Sequence, residues 1–153
     1  MNFNDFIEHA GHDHTDFYIG LNDLLKNDYK IKVEEKKTGY ALTYSGKKSL
    51  INVVHRKKGP HLRLYGNHAN EYLDVFDDLP EEMLKEIKKG GDCKRLIDPS
   101  ACNQKCQMGV EILIDGKVYG KCRYSALFFF ITPEKYDHLM NLIQLEVNVR
   151  KSE

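Results

Sequence analysis

The four cysteines of the chain, Cys93, Cys102, Cys106 and Cys122, fall in a single stretch with the spacing C-x8-C-x3-C-x15-C. Thiolates are soft enough to hold zinc in a closed tetrahedral site, and the segment GDCKRLIDPSACNQKCQMG has too little apolar content to order itself without a staple. Cys102 and Cys106 have the separation of a zinc-binding pair. Cys93 and Cys122 lie farther off, so the pattern departs from twin C-x2-C pairs. A shared ion requires Cys93 at a helix exit and Cys122 on a hairpin to close around the loop between them. The expectation is a structural zinc on all four. Separate thiols and a disulfide or redox pair are the alternatives, and an iron–sulfur cluster is a lesser variant because the spacing matches none of the usual runs.

A catalytic thiol needs a cation, a helix N-terminus or a histidine base beside it. Lys94 and Arg95 adjoin Cys93, and Lys121 and Arg123 flank Cys122, but such neighbours are common in a chain with 23 basic residues. His9, His12 and His14, with Asp13 and Asp16, offer imidazole and carboxylate ligands for a catalytic metal. If the first helix stops at Ala10, flexible backbone joins them, and a polar helix–loop junction is the favoured reading. The run His55-Arg56-Lys57-Lys58, with Arg63 beyond, could meet phosphates; a solvated hairpin turn explains it better. Arg63, Tyr65, Arg123 and Tyr124 could form a small-ligand site if the strands that carry them share a sheet, with Arg as a bidentate fork and Tyr as a flat wall. Otherwise these tyrosines complete the core. No paired carboxylates, Ser–His arrangement or phosphate-binding glycine loop is present.

The elements that must position these residues follow from periodicity. Phe3, Phe6, Ile7 and Ala10 are spaced as a short helix, and a second, capped by Thr15 or Asp16, runs to about Asn27. From Tyr29 the period becomes two. Tyr29, Ile31 and Val33 alternate with polar residues, then Tyr40, Leu42 and Tyr44, then Leu50 to Val54, then His61 to Tyr65. Turns of a few residues between them make an antiparallel four-stranded meander, since parallel pairing would need long crossovers. A central helical segment covers Ala69 to Phe76 and continues after Pro80 to Gly90-Gly91. The cysteine-rich insert, about 91–109, precedes a hairpin turning at Asp115-Gly116 and a buried strand within Tyr124 to Ile131. Thr132-Pro133-Glu134 starts a C-terminal helix whose apolar face holds Tyr136, Leu139, Met140, Ile143 and Val147. The fold class is α+β, read as one domain over 1–153.

Lys plus Arg equal Asp plus Glu at 23 each, so no global field draws the chain to nucleic acid or to an anionic membrane. No apolar run is long enough to span a bilayer, and MNFNDFIEHAGHDH has no secretory pattern, so a cytoplasmic location with reduced thiols is expected. Phe128-Phe129-Phe130 points to both faces of its strand, which asks for cover on both sides, within the chain or from a second copy in a homodimer. The function expected is a non-catalytic binding module for a small molecule or a protein. The alternative is an enzyme, either a histidine-dependent metalloenzyme or a thiol redox protein.

The stretch YKIKVEEKKTGYALTYSGKKSLINVVHRKKGPHLRLYG, with alternating strands and HLRL before a helix, resembles the sheet region of small bacterial α+β domains of the YdhG-like and MmcQ/YjbR-like groups. The likeness covers about residues 29–90 and is one of pattern. It implies a double-wing DNA-binding architecture or a small-molecule-binding sheet, transfers no catalytic residue, and does not extend to the cysteines.

Overall fold

The computed structural model describes residues 2–103 and 109–153 and divides the chain into two units, Met1–Leu64 with Phe130–Met140, and Tyr65–Phe129 with Asn141–Glu153.

In the first unit, helix α1 (Phe3–Ala10) begins at a reciprocal cap. The Asn2 side chain accepts from the Asp5 backbone N–H at 2.9 Å, and the Asp5 carboxylate accepts from the Asn2 N–H at 3.1 Å. Helix α2 (Thr15–Leu25) has His14 at its N-cap rather than Thr15 or Asp16, and no side chain caps it. The Thr15 hydroxyl instead donates to the Gly11 carbonyl at 2.7 Å, tying the helix to the loop before it. Strands β1 (Lys30–Lys36), β2 (Gly39–Ser45), β3 (Ser49–Arg56) and β4 (Gly59–Leu64) form the expected antiparallel meander. A fifth strand, β7 (Phe128–Phe130), lies next to β4 in the sheet order and reaches this unit with Phe130.

Register puts Val33, Leu42, Val53 and Leu62 in one row, and Tyr44, Ile51 and Leu64 in the next, all buried. Helix α1 packs on β1 and β2, and α2 reaches the sheet through Asn22, which accepts from the Tyr44 hydroxyl at 2.6 Å. With Phe6, Phe17, Tyr18, Leu21 and Leu25 from the helices, these rows make the core. Each such side chain contributes roughly 1.5–3 kcal/mol on burial. After β7, a 3-10 turn (Pro133–Lys135) leads into α5 (Tyr136–Lys151). Lys135 is buried at that turn; its ammonium donates to the Phe130 carbonyl at 2.8 Å and sits over the Phe130 ring.

The second unit holds two 3-10 turns (Ala69–Glu71 and Leu73–Asp78), helices α3 (Glu81–Lys89) and α4 (Lys94–Ile97), and the hairpin of β5 (Val110–Ile114) and β6 (Lys117–Lys121). The central segment before Pro80 is thus 3-10 rather than α-helical, and α4 is a short helix inside the cysteine stretch. Asp115 and Gly116 both have positive φ, as a two-residue hairpin turn requires. Strand β5 alternates strictly, with Val110, Ile112 and Ile114 buried against a core that includes Phe76, Met83, Ile87, Leu142, Ile143 and Val147.

Two buried charges lock this unit. The Glu146 carboxylate is fully buried and accepts from the His68 backbone N–H at 3.1 Å, His68 Nδ1 at 2.8 Å, the Tyr72 hydroxyl at 2.6 Å and Arg150 Nε at 2.8 Å. Burial pushes its pKa up, but the donors outweigh burial and hold it below the ordinary glutamate value. His68 also meets Glu153 through Nε2, and Arg150 donates to the Tyr65 carbonyl at 2.9 Å. Lys121, 4% exposed, donates to the Lys88 and Gly90 carbonyls at 2.8 and 2.9 Å and to Asp92 at 2.9 Å. The ammonium therefore neutralises the negative end of α3 from inside the fold. No helix among the described residues is long and apolar enough to cross a membrane.

Candidate functional site

The core face of the first unit changes character at one end of the sheet. Two residues on from the Leu42–Val53 pair, the same face carries Tyr40 and His55, and His55 pairs with Pro60 across β3 and β4. His55 Nδ1 lies 2.6 Å from the Tyr40 carbonyl, so it must carry the hydrogen and donate it. That bond fixes the ring and its tautomer, and no hydrogen bond engages Nε2 among the described residues.

The loop between α1 and α2 supplies the opposite wall. His14 is half-buried, with Nδ1 against the Tyr136 hydroxyl, while Tyr136 stacks on Phe17 at 4.7 Å between ring centres. Burial pushes the His14 pKa down; Asp13 opposes this and nearby His55 adds to it. Tyr136 keeps its proton above the ordinary tyrosine value, first through burial and then through Asp13, Glu134 and Asp16. His9 stacks on Tyr40 at 5.5 Å. Behind His14, the Tyr18 hydroxyl is fully buried and has no hydrogen-bond partner among the described residues. Together His9, His12, Asp13, His14, Tyr40 and His55 line an open cleft of about 340 Å³. Gly39 and Gly59, at positive φ in the two hairpin turns, complete its rim. A β-carbon at position 39 would press on the His55 side chain at 3.3 Å.

The histidines singled out near the N-terminus therefore share one cleft, and His55 joins them. His55 falls in the basic run by sequence, yet its phase with Ile51 and Val53 was the available sign that it faces inward. Among the described residues, no group of three or more His, Cys, Asp or Glu side chains could hold a metal ion.

In the second unit, Asp92 and Lys121 form an antiparallel bridge flanked by Cys93 N–H to the Gly120 carbonyl at 3.1 Å and Cys122 N–H to the Gly91 carbonyl at 2.8 Å. Strand alternation places Cys93 and Cys122 on the face opposite Asp92 and Lys121, diagonal to one another, with glycines as their direct partners. Cys93 Sγ accepts the Gly109 N–H at 3.2 Å. Burial raises the Cys93 pKa, but backbone donors from Gly109, Leu96 and Arg95 and the Arg95 charge bring it below the ordinary thiol value. A β-carbon at Gly109 would strike the Lys121 carbonyl and Cys93, so the close approach needs glycine. Cys102 is exposed at φ 60°, and Cys106 lies outside the described residues.

The four residues considered for a small ligand do not all fall in one unit. Arg63 belongs to the first, where it donates to Asn52 at 3.3 Å. Tyr65, Arg123 and Tyr124 belong to the second; Tyr65 and Tyr124 pack edge to face at 5.7 Å, and Arg123 donates to the Asn67 carbonyl at 3.2 Å. No protein-family model matches the chain, and neither a curated protein nor a solved structure matches it.

Proposed function

We propose that the protein is a non-catalytic binding module whose second unit is fastened by a structural zinc ion on Cys93, Cys102, Cys106 and Cys122, and whose ligand seat is the histidine-lined cleft of the first unit. The observation that carries the zinc reading is the placement of Cys93 and Cys122 on one face of the Asp92–Lys121 bridge. Diagonal cross-strand neighbours are separated by about 7–8 Å at Cα, a span that two thiolates can close onto one ion. Backbone N–H donors favour the thiolate form of Cys93, which is the form that binds zinc. Cys102 and Cys106 would complete the tetrahedron and tie down the segment between α4 and β5.

Elemental analysis of the full chain, purified without a histidine tag, is expected to give about one equivalent of zinc. Cys102→Ser is expected to lose the metal and the folding of the second unit together. Metal-free, fully folded wild-type protein in which all four thiols titrate overturns the zinc reading.

The enzyme reading has one observation in its favour. His14 and His55 are each held at Nδ1 and open at Nε2, the arrangement a general base or acid needs. Among the described residues, no Ser, Thr, Cys or Lys accompanies them in the lining as a nucleophile, and binding is the reading that the cleft supports best.

A further inference from the structure

The cleft restricts what it can receive. Among the described residues, Asp13 is the one carboxylate in its lining, against the four imidazoles of His9, His12, His14 and His55, and no Lys or Arg lines it. Charges of both signs surround it. Asp16 stands on the first turn of α2, Glu34, Glu35 and Lys36 on β1, and Glu134 before α5. Lys37 occupies the β1–β2 turn, Arg56 the end of β3, and Lys57 with Lys58 the β3–β4 turn. Lys36 is bound to Glu34 at 3.0 Å.

The hydrogen-bond logic of the imidazoles follows from the Nδ1 contacts. Where the Tyr136 hydroxyl donates to His14 Nδ1, the neutral His14 ring carries its hydrogen on Nε2, and that nitrogen is a donor. His55 is the reverse. Its Nδ1 hydrogen is spent on the Tyr40 carbonyl, so Nε2 is a lone pair in the neutral ring and becomes an N–H donor only on protonation. One added proton turns a donor–acceptor pair into two donors with a positive charge. Such a pair suits an oxyanion, since charge-assisted N–H···O bonds are about twice as strong as neutral ones.

We propose that the cleft binds a small phosphate-type anion between Nε2 of His14 and Nε2 of His55, with uptake of one proton by His55. The proposal rests on the reading of the cleft as the ligand seat and names what sits there. His12 and His9 line the same cleft, and Asp13 limits affinity by repulsion. The volume of about 340 Å³ accommodates a phosphate monoester of small-metabolite size.

The test is an amide NMR titration of the full chain at pH 6 and pH 8, at matched ionic strength, with inorganic phosphate and with sulfate, a tetrahedral dianion whose charge stays fixed over this range and from which the pH dependence is read. Saturable shifts at His12 to His14, Gly39, Tyr40, His55 and Gly59 are expected, with sulfate bound more weakly at pH 8 because one proton is taken up. His55→Asn, whose amide can still donate to the Tyr40 carbonyl, should keep the fold and lose the pH dependence. No saturable shift at either pH overturns the proposal, as does unchanged pH-dependent binding in His55→Asn. Loss of binding on Lys57→Glu/Lys58→Glu, with His55→Asn unaffected, overturns it by placing the anion on the exposed turn. Zinc chloride shifting the same amides at pH 8 while phosphate shifts none also overturns it, but leaves the cleft as the ligand seat. The zinc content of the cysteine segment is read separately and is untouched by any of these outcomes.

Discussion

The Glu146 network and the histidine cleft are built from the same kinds of side chain and end in opposite states. Around Glu146, two carboxylate oxygens take four hydrogen bonds, His68 is engaged at both ring nitrogens, and Arg150 reaches a backbone carbonyl as well. Nothing there is left to offer. In the cleft, His14 and His55 are each anchored at one nitrogen and open at the other, and the Tyr18 hydroxyl behind them has no hydrogen-bond partner among the described residues. The first arrangement turns buried polarity into rigidity, because every donor and acceptor is matched. The second holds its groups in place without consuming them, which is how a site differs from a scaffold.

Substitution should separate the two most sharply at Glu146. Glu146→Ala leaves His68, Tyr72 and Arg150 without their acceptor, and urea unfolding is expected to show a loss of about 3–5 kcal/mol; a loss below about 1 kcal/mol would break the contrast. Lys121→Met removes an ammonium from two carbonyls and a carboxylate while keeping the stem's bulk, and about 2 kcal/mol should go. Acidity gives a finer comparison. His68 has its pKa raised, chiefly by Glu146 acting against burial, so its contribution is complete below the ordinary histidine value and fades as pH rises through the raised one. Glu146, with a lowered pKa, contributes above the ordinary glutamate value and loses that contribution as pH falls through the lowered one. Stability measured from pH 5 to 9 should therefore decline on the alkaline side, and His68→Asn should flatten that decline. His55→Asn should cost least, under about 1 kcal/mol, since the Tyr40 bond can be remade and Nε2 has no hydrogen-bond partner to lose.

Much of the scaffold was legible in sequence because its signals are local. Alternation from Ile31 to Leu64 marked the four strands, Asp115-Gly116 marked the hairpin, and Thr132-Pro133 marked the turn into the last helix. The 3-10 turns over 69–78 were less so, since helical spacing does not distinguish 3-10 from α over so few residues. The cleft was half legible. His9, His12 and His14 stood out as a group, but nothing local announces that a loop at the N-terminus faces His55 on the third strand. Lys121 read as a neighbour of Cys122, whereas its role is set by carbonyls from residues 88 and 90. Arg63 and Arg123 read as a pair by chemistry alone, and each is occupied within its own unit. Long-range partnership leaves no trace in spacing.

The two buried lysines among the described residues give each unit its own clock. Lys135 in the first unit and Lys121 in the second have ammonium groups hydrogen-bonded to main-chain carbonyls and shielded from solvent, whereas Lys57 and Lys58 stand in the open. An amine-reactive reagent should modify the exposed lysines at once and reach 121 and 135 only when the surrounding structure opens. Mass spectrometry of the labelled peptides would then time the opening of each unit separately, with no introduced probe.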